Sequence, residues 1–143
     1  MRARHFVSAI LAAAIAGTAA GSLADDRAVG HWFAEGVENH QHEQFILDRL
    51  ADGTFSMTGR IVEGCKTGPV WVEIGTWTLE GDLLRTNTTS VGGTPSHYHD
   101  KFVVKALPGG RTSMLDLGTN VTWILVPVPM TFVLPPPQGC GAA

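Results

Sequence analysis

The sequence predicts an all-β protein, folded as a single eight-stranded antiparallel up-and-down barrel. Apolar and polar residues alternate over short runs, glycine-containing turn signals separate the runs, and helical periodicity is scarce after residue 24. Closing such a sheet into a barrel removes the exposed edges that would otherwise favour aggregation. With eight strands, the interior is either filled by side chains or holds one small ligand.

The first 24 residues have the pattern of a secretory signal peptide. Arg2 and Arg4 precede an uncharged, alanine-rich run, FVSAILAAAIAGTAA, and small residues stand at Ser22 and Ala24. The run is shorter than the roughly 20 apolar residues that a membrane-spanning helix needs. We therefore expect cleavage after Ala24, no stable membrane anchor, and a periplasmic or secreted protein.

The mature chain would run from Asp25 to Ala143, a length of 119 residues that suits one domain. Without Arg2 and Arg4, eight basic side chains face thirteen acidic ones, a net charge of −5 with histidine neutral. Because no basic stripe is present, the sequence argues against nucleic acid as a partner.

The alternation places eight strands along the mature chain. In TFSMTGRIV, for example, Phe55, Met57 and Ile61 share one face, while Ser56, Thr58 and Arg60 share the other. A stretch at residues 37–50, VENHQHEQFILDRL, could also support a helical turn. The predicted strands are 29–34, 43–50, 54–63, 69–78, 82–89, 97–107, 111–118 and 120–127.

The barrel domain would thus span residues 25–127, and a proline-rich tail would follow over residues 128–143. Five prolines between Pro127 and Pro137 exclude a central strand there, so the tail should wrap the outside or leave the body. The only cysteines are Cys65 and Cys140. In an oxidising compartment two cysteines usually pair, so a disulfide anchoring the tail is expected.

Gly30-His31-Trp32 opens the first strand, and a Gly-x-Trp at this place resembles the opening of the lipocalin family. ADGTFSM and IGTWTLEGDLLRTNTT also resemble small exported bacterial lipocalin-like (calycin-type) barrel proteins, many without an assigned function. Avidin-like barrels begin with the same three-residue pattern. In lipocalins an arginine packs on this tryptophan, and no counterpart is evident here because Arg111 is the last arginine.

The resemblance implies a non-enzymatic barrel that binds a small, mostly apolar molecule, with no cofactor. Eight strands leave little room beyond side chains, which favours a filled interior. If a cavity exists, it should be lined by inward aromatic and aliphatic groups. Asp100 and Tyr98 would form its polar end, with Arg60 or Arg85 as possible partners of the carboxylate. The candidate ligand-binding residues are Trp32, Phe55, Met57, Tyr98, Asp100 and Phe102.

Two His-x-His pairs suggest a second hypothesis, a metal-handling protein of the cell envelope. Imidazole suits zinc, copper and nickel, and His40, His42, His97 and His99 could meet at the barrel rim. However, His97 and His99 share a face with Lys101 and Lys105, and Asp100 falls on the opposite face. The simplest interpretation of PSHYHDKF is an outer strand face, with no metal bound.

A third hypothesis is a protein-interaction or inhibitor module with a filled barrel, acting through loops 35–42 and 90–96 or the tail. Catalysis has little support. The chain contains no Gly-x-Ser-x-Gly, phosphate-binding glycine loop or His-Glu-x-x-His motif. Glu35, Glu38 and Glu43 near the histidines could perform acid–base chemistry, but acidic surface loops usually do not.

Overall fold

The computed structural model describes Asp25 and residues 27–140, and the predicted signal peptide, residues 1–24, lies outside these described residues. Within them, no helix is long and apolar enough to cross a membrane. A 3₁₀ turn occupies Pro108–Gly110. The strands are β1 (Gly30–Glu38), β2 (Gln41–Arg49), β3 (Thr54–Glu63), β4 (Lys66–Thr67), β5 (Trp71–Glu80), β6 (Leu83–Val91), β7 (Thr94–Ala106), β8 (Thr112–Asp116) and β9 (Thr122–Pro127).

Eight of these strands form a closed antiparallel barrel, which confirms the predicted fold class. Each long strand pairs with its neighbours in chain order, and β9 closes the ring by pairing with β1 at Trp32↔Pro127 and Phe33↔Val126. The two-residue β4 lies outside the ring and pairs only with the end of β3. It was not predicted, because two residues are too short to show alternation.

The segment that could have been helical is instead a hairpin joining β1 to β2. Asn39 and His40 form its two-residue turn, with φ of 48° and 66°. Two successive positive φ angles match the right-handed twist of paired strands, and asparagine tolerates this conformation better than most residues. Residues 35–42, predicted as an interaction loop, are therefore almost entirely strand. Residues 90–96 likewise contain the ends of β6 and β7 around a Gly92–Gly93 turn.

Large side chains from most strands of the barrel meet in one core. Gly30 is required at the start of β1 because a Cβ there would lie 2.7 Å from the Trp32 ring, which gives the Gly-x-Trp pattern its physical reason. The buried core consists of Trp32, Ala34, Phe45, Leu47, Phe55, Leu84, Val104, Met114, Trp123 and Leu125.

The tail lies against the outer face of β1, β2 and β3. The rings of Phe132 and Phe33 are 5.3 Å apart, and Arg60 donates a hydrogen bond to the Pro135 carbonyl at 2.6 Å. The expected disulfide is present between Cys65 and Cys140, 75 residues apart. The tail therefore wraps the barrel rather than leaving it, with Cys140 as its anchor.

Candidate functional site

A cavity of about 350 Å³ occupies the barrel interior. The strand number favoured an interior filled by side chains, and the barrel is not filled. Its wall is mostly aromatic and aliphatic. A Cβ at Gly59 would lie 2.7 Å from the Trp71 ring, so the absence of a side chain there leaves room for the indole. The apolar lining residues are Phe45, Leu47, Phe55, Met57, Trp71, Phe102, Met114 and Trp123.

The two ends of the cavity differ in charge. The β1–β2, β6–β7 and β8–β9 turns surround one end, which we call the mouth, and the β2–β3, β5–β6 and β7–β8 connections surround the other, which we call the closed end. Five carboxylates line the cavity on the mouth side, and all are partly accessible to solvent. They are Glu38, Glu43, Glu73, Asp100 and Asp116.

Alternation along the strands explains how these acids reach the interior. On β2 the inward positions run Glu43, Phe45, Leu47 and Arg49, from the mouth to the closed end. A carboxylate two residues before or after an apolar lining residue recurs on other strands, as in Glu73 after Trp71 and Asp116 after Met114. Sequence reasoning singled out only Asp100, and it placed Glu38 and Glu43 in a surface loop. The sequence signal that could have identified these acids is the recurrence, on several strands, of a carboxylate two residues from an apolar residue.

Hydrogen bonds to these carboxylates come from neutral groups. Thr119 donates its hydroxyl hydrogen to Glu38, and Thr88 donates to Glu73. The Gly118 amide donates to Asp116 at 2.7 Å. Within the described part of the chain, none of the five carboxylates forms an ion pair with lysine or arginine.

Burial, with a smaller contribution from neighbouring carboxylates, raises the pKa of three of these acids. Burial raises the pKa of Glu43, and the nearby Glu38 carboxylate raises it further. Burial also raises the pKa of Glu73; the Thr88 hydroxyl partly opposes the rise, and Asp100 adds to it. At Asp100 burial again raises the pKa, and Asp116 contributes more than the opposing influence of His99. The mouth therefore carries negative charge at a cost in folding free energy.

Arg49 occupies the closed end, where its side chain is only 2% exposed. Its Nε donates to the Ala28 carbonyl at 2.7 Å, and its guanidinium lies over the Trp32 ring, 5.0 Å from the centroid. The expectation that no arginine would pack on this tryptophan is wrong, because β2 supplies one. Burial lowers the pKa of Arg49 to about 10, so it still carries its charge at neutral pH.

Four of the six candidate ligand-binding residues line the cavity: Phe55, Met57, Asp100 and Phe102. Trp32 instead packs in the core beneath Arg49. Tyr98 is 58% exposed and does not line the cavity. The register of β6 against β7 is regular from Thr88↔Tyr98 to Leu83↔Val103, so Tyr98 is on the same face of β7 as Asp100. Tyr98 lies nearer the β6–β7 turn than Asp100 does, and its side chain is exposed there.

The proposed partners of Asp100 are engaged elsewhere. Arg60 points outward, where its Nε donates to Gln44 at 2.9 Å and its Nη2 holds the tail. Arg85 is exposed and lies near Glu80. The polar end that was assigned to Asp100 and Tyr98 is instead formed by Asp100 together with the other acids of the mouth.

The two His-x-His pairs lie on opposite sides of the barrel. His40 and His42 belong to the β1–β2 hairpin, and His97 and His99 belong to β7, with three strands between β2 and β7 in either direction around the ring. His97 and His99 are exposed, as predicted for an outer face. His42 Nε2 lies 2.8 Å from Glu35 Oε1, next to the tail. Among residues 25 and 27–140, no three His, Cys, Asp or Glu side chains are grouped to hold a metal ion.

Neutralising one acid of the mouth is expected to stabilise the fold at neutral pH. A carboxyl group whose pKa is higher in the folded than in the unfolded chain destabilises the fold above the unfolded value of about 4. Glu73→Gln keeps an acceptor for Thr88 and removes the charge, so its melting temperature at pH 7 should exceed that of the wild type by a few degrees.

This gain should shrink as the pH falls toward about 4, because Glu73 then becomes protonated in the wild type as well. Glu63→Gln, on the exposed end of β3, is the matched control and should change little at any pH. Calorimetric melting at several pH values measures the difference. A Glu73→Gln protein no more stable than the control at pH 7 would contradict the charge cost assigned to the mouth.

Comparison with known proteins identifies no family. No model of a protein family matches the chain, and a search of curated proteins finds no significant match.

Proposed function

We propose that this protein is an exported barrel that binds a small, mostly apolar molecule in its interior. The observation that carries the proposal is the cavity of about 350 Å³, whose wall combines eight aromatic and aliphatic side chains with eight polar or charged ones. Its volume is in the range of small-molecule sites, which begins at a few hundred cubic ångströms. The signal-like N-terminus and the Cys65–Cys140 disulfide support an oxidising compartment outside the cytoplasm.

The proposed role is binding without catalysis. The lining residues include carboxylates and threonines, but neither a histidine nor a cysteine is among them. No histidine base is therefore paired with a hydroxyl or thiol nucleophile among the residues that line the cavity, as it is in acyl-transfer enzymes of the serine and cysteine types. The hypothesis of an interaction module required a filled barrel with an exposed apolar patch or a protruding loop. The cavity argues against a filled barrel, and the short β1–β2 and β6–β7 turns argue against a protruding loop.

Binding can be tested with N-phenyl-1-naphthylamine, a neutral apolar dye that fluoresces on leaving water. The chain is expressed with its first 24 residues and recovered from the periplasm, where Asp25 is the expected N-terminus. We expect saturable dye binding, and we expect Thr86→Phe to weaken it about tenfold or more, because Thr86 lines the cavity and phenylalanine would fill it.

Thr78→Phe is the matched control. Thr78 is exposed on β5. It pairs with Arg85 of β6, the residue that precedes Thr86. This variant should bind the dye as the wild type does, with circular dichroism confirming that both variants fold. Absence of dye binding to the wild type, or equal binding by Thr86→Phe, would refute the interior site.

A further inference from the structure

We propose that the occupant of this cavity is a small amphipathic molecule whose cationic group lies at the mouth. This inference rests on the proposed function and specifies the chemical class of the ligand. It follows from the carboxylates without a basic partner that line the mouth side of the cavity and from the aromatic side chains beside them.

The mouth has the charge that an organic cation requires. Five carboxylates line this side of the cavity, and their hydrogen-bond donors are hydroxyl and backbone amide groups rather than ammonium or guanidinium groups. In the described structure, Glu43 and Asp100 accept no side-chain hydrogen bond. A bound cation would relieve the repulsion among these acids, which an uncharged occupant would leave in place.

The neighbouring basic groups do not neutralise the mouth. His99 influences Asp100, but it stands on the outer face of β7 and is exposed. Lys101 and Lys105 share that outer face and are exposed as well. Arg49 is the only basic residue that lines the cavity, and it is six residues from Glu43 along β2. At about 3.3 Å per residue the two positions are roughly 20 Å apart along the strand.

The charge at the closed end fixes the orientation of the occupant. Arg49 lines the cavity but is 98% buried, and no carboxylate of the described residues lies within ion-pair distance of its guanidinium. Its positive charge disfavours a cation at this end and therefore directs the cation to the mouth.

The aromatic lining of the cavity selects an organic molecule over a simple ion. Trp71, Phe102 and Trp123 present aromatic surface to the cavity, and such rings stabilise both apolar groups and organic cations at their faces. A divalent metal would need several ligand atoms at one point. The described residues contain no such group, and aromatic rings supply no ligand atoms for a metal ion.

The charge requirement can be tested with two probes of the same shape. Benzyltrimethylammonium and neopentylbenzene differ only in a quaternary nitrogen replacing a quaternary carbon, and displacement of N-phenyl-1-naphthylamine gives their relative affinities. We expect the cation to bind about tenfold more tightly than the hydrocarbon at low salt, with a smaller advantage at high salt. Tighter or equal binding of the hydrocarbon would refute the cationic ligand and leave the proposed function intact. Failure of the dye itself to bind would refute the proposed function.

Variants then locate the cation. Glu73→Gln and Asp100→Asn should each weaken benzyltrimethylammonium several-fold and leave neopentylbenzene unchanged, whereas Glu63→Gln should affect neither probe. If both mouth variants bind the cation as the wild type does, the cation is not held at the mouth.

Discussion

Replacing Cys65 and Cys140 together by serine is expected to lower the free energy of unfolding by about 4.5 kcal/mol. The bridge closes a loop over a sequence separation of 75 residues, which restricts the unfolded chain far more than a short loop would. This value is an upper figure, because an unfolded chain that retains some structure gains less entropy when the bridge is removed. For a domain whose total stability is about 5–15 kcal/mol, such a loss is large.

The tail should also loosen in the doubly substituted protein. Without the bridge, it is held by the Phe33–Phe132 contact, by the hydrogen bond from Arg60 to Pro135, and by the Gln138 amide donating to Glu35 at 3.1 Å. Because these contacts lie on the outer face, the interior cavity should survive. Urea unfolding gives the stability, and binding of N-phenyl-1-naphthylamine to the folded variant should match that of the wild type.

The single variants, Cys65→Ser and Cys140→Ser, provide the control. Each breaks the bridge, so each should lose about as much stability as the double variant under reducing conditions. A loss below about 1 kcal/mol in the double variant would contradict the prediction, since the bridge would then add little to the tail contacts. If the double variant folds fully but no longer binds the dye, the tail is needed to support the cavity.

The barrel could be predicted from the sequence because its signals are local. Alternation requires only that neighbouring residues face opposite sides, and turns such as Gly92–Gly93 show their chemistry directly. The hairpin at Asn39–His40 was missed for the same reason, since histidine is an unusual residue at a position with positive φ. The disulfide was predictable because the chain contains only two cysteines.

The candidate site was harder to predict because it depends on which strands meet. Glu43, Glu73 and Asp116 lie on β2, β5 and β8, and only ring closure directs them toward one interior space. Each acid alone resembles an exposed residue on a strand. Phe55 and Met57 could be assigned to the interior because alternation along one run separates the two faces of β3. Tyr98 shares the face of Asp100, but alternation does not show which residues of that face lie beyond the cavity.

The burial of Arg49 is a second feature that could not be predicted from the sequence. An arginine at the end of a strand is usually solvated, and the sequence offers no sign that this one turns inward. Burial of a charge without a carboxylate partner is expensive. It is tolerated here because the Ala28 carbonyl accepts from Nε and the Trp32 ring faces the guanidinium. The volume of the side chain then closes one end of the barrel.

Truncating this side chain is therefore expected to have the second large effect. Arg49→Ala should lower the free energy of unfolding by about 3–5 kcal/mol, because it opens a cavity beside Trp32 and removes the donor to Ala28. Arg49→Met keeps most of the volume. It also loses the hydrogen bond, but it no longer buries a charge, and these two effects largely cancel. We expect the methionine variant to remain within about 1 kcal/mol of the wild type.

Chemical denaturation of the two variants separates packing from charge. If Arg49 serves mainly to fill the closed end, alanine is far more destabilising than methionine. Equal, large losses in both variants would show that the hydrogen bond and the cation–aromatic contact hold this end together. The methionine variant should also retain binding of N-phenyl-1-naphthylamine, because methionine keeps most of the volume of the side chain and the cavity therefore remains.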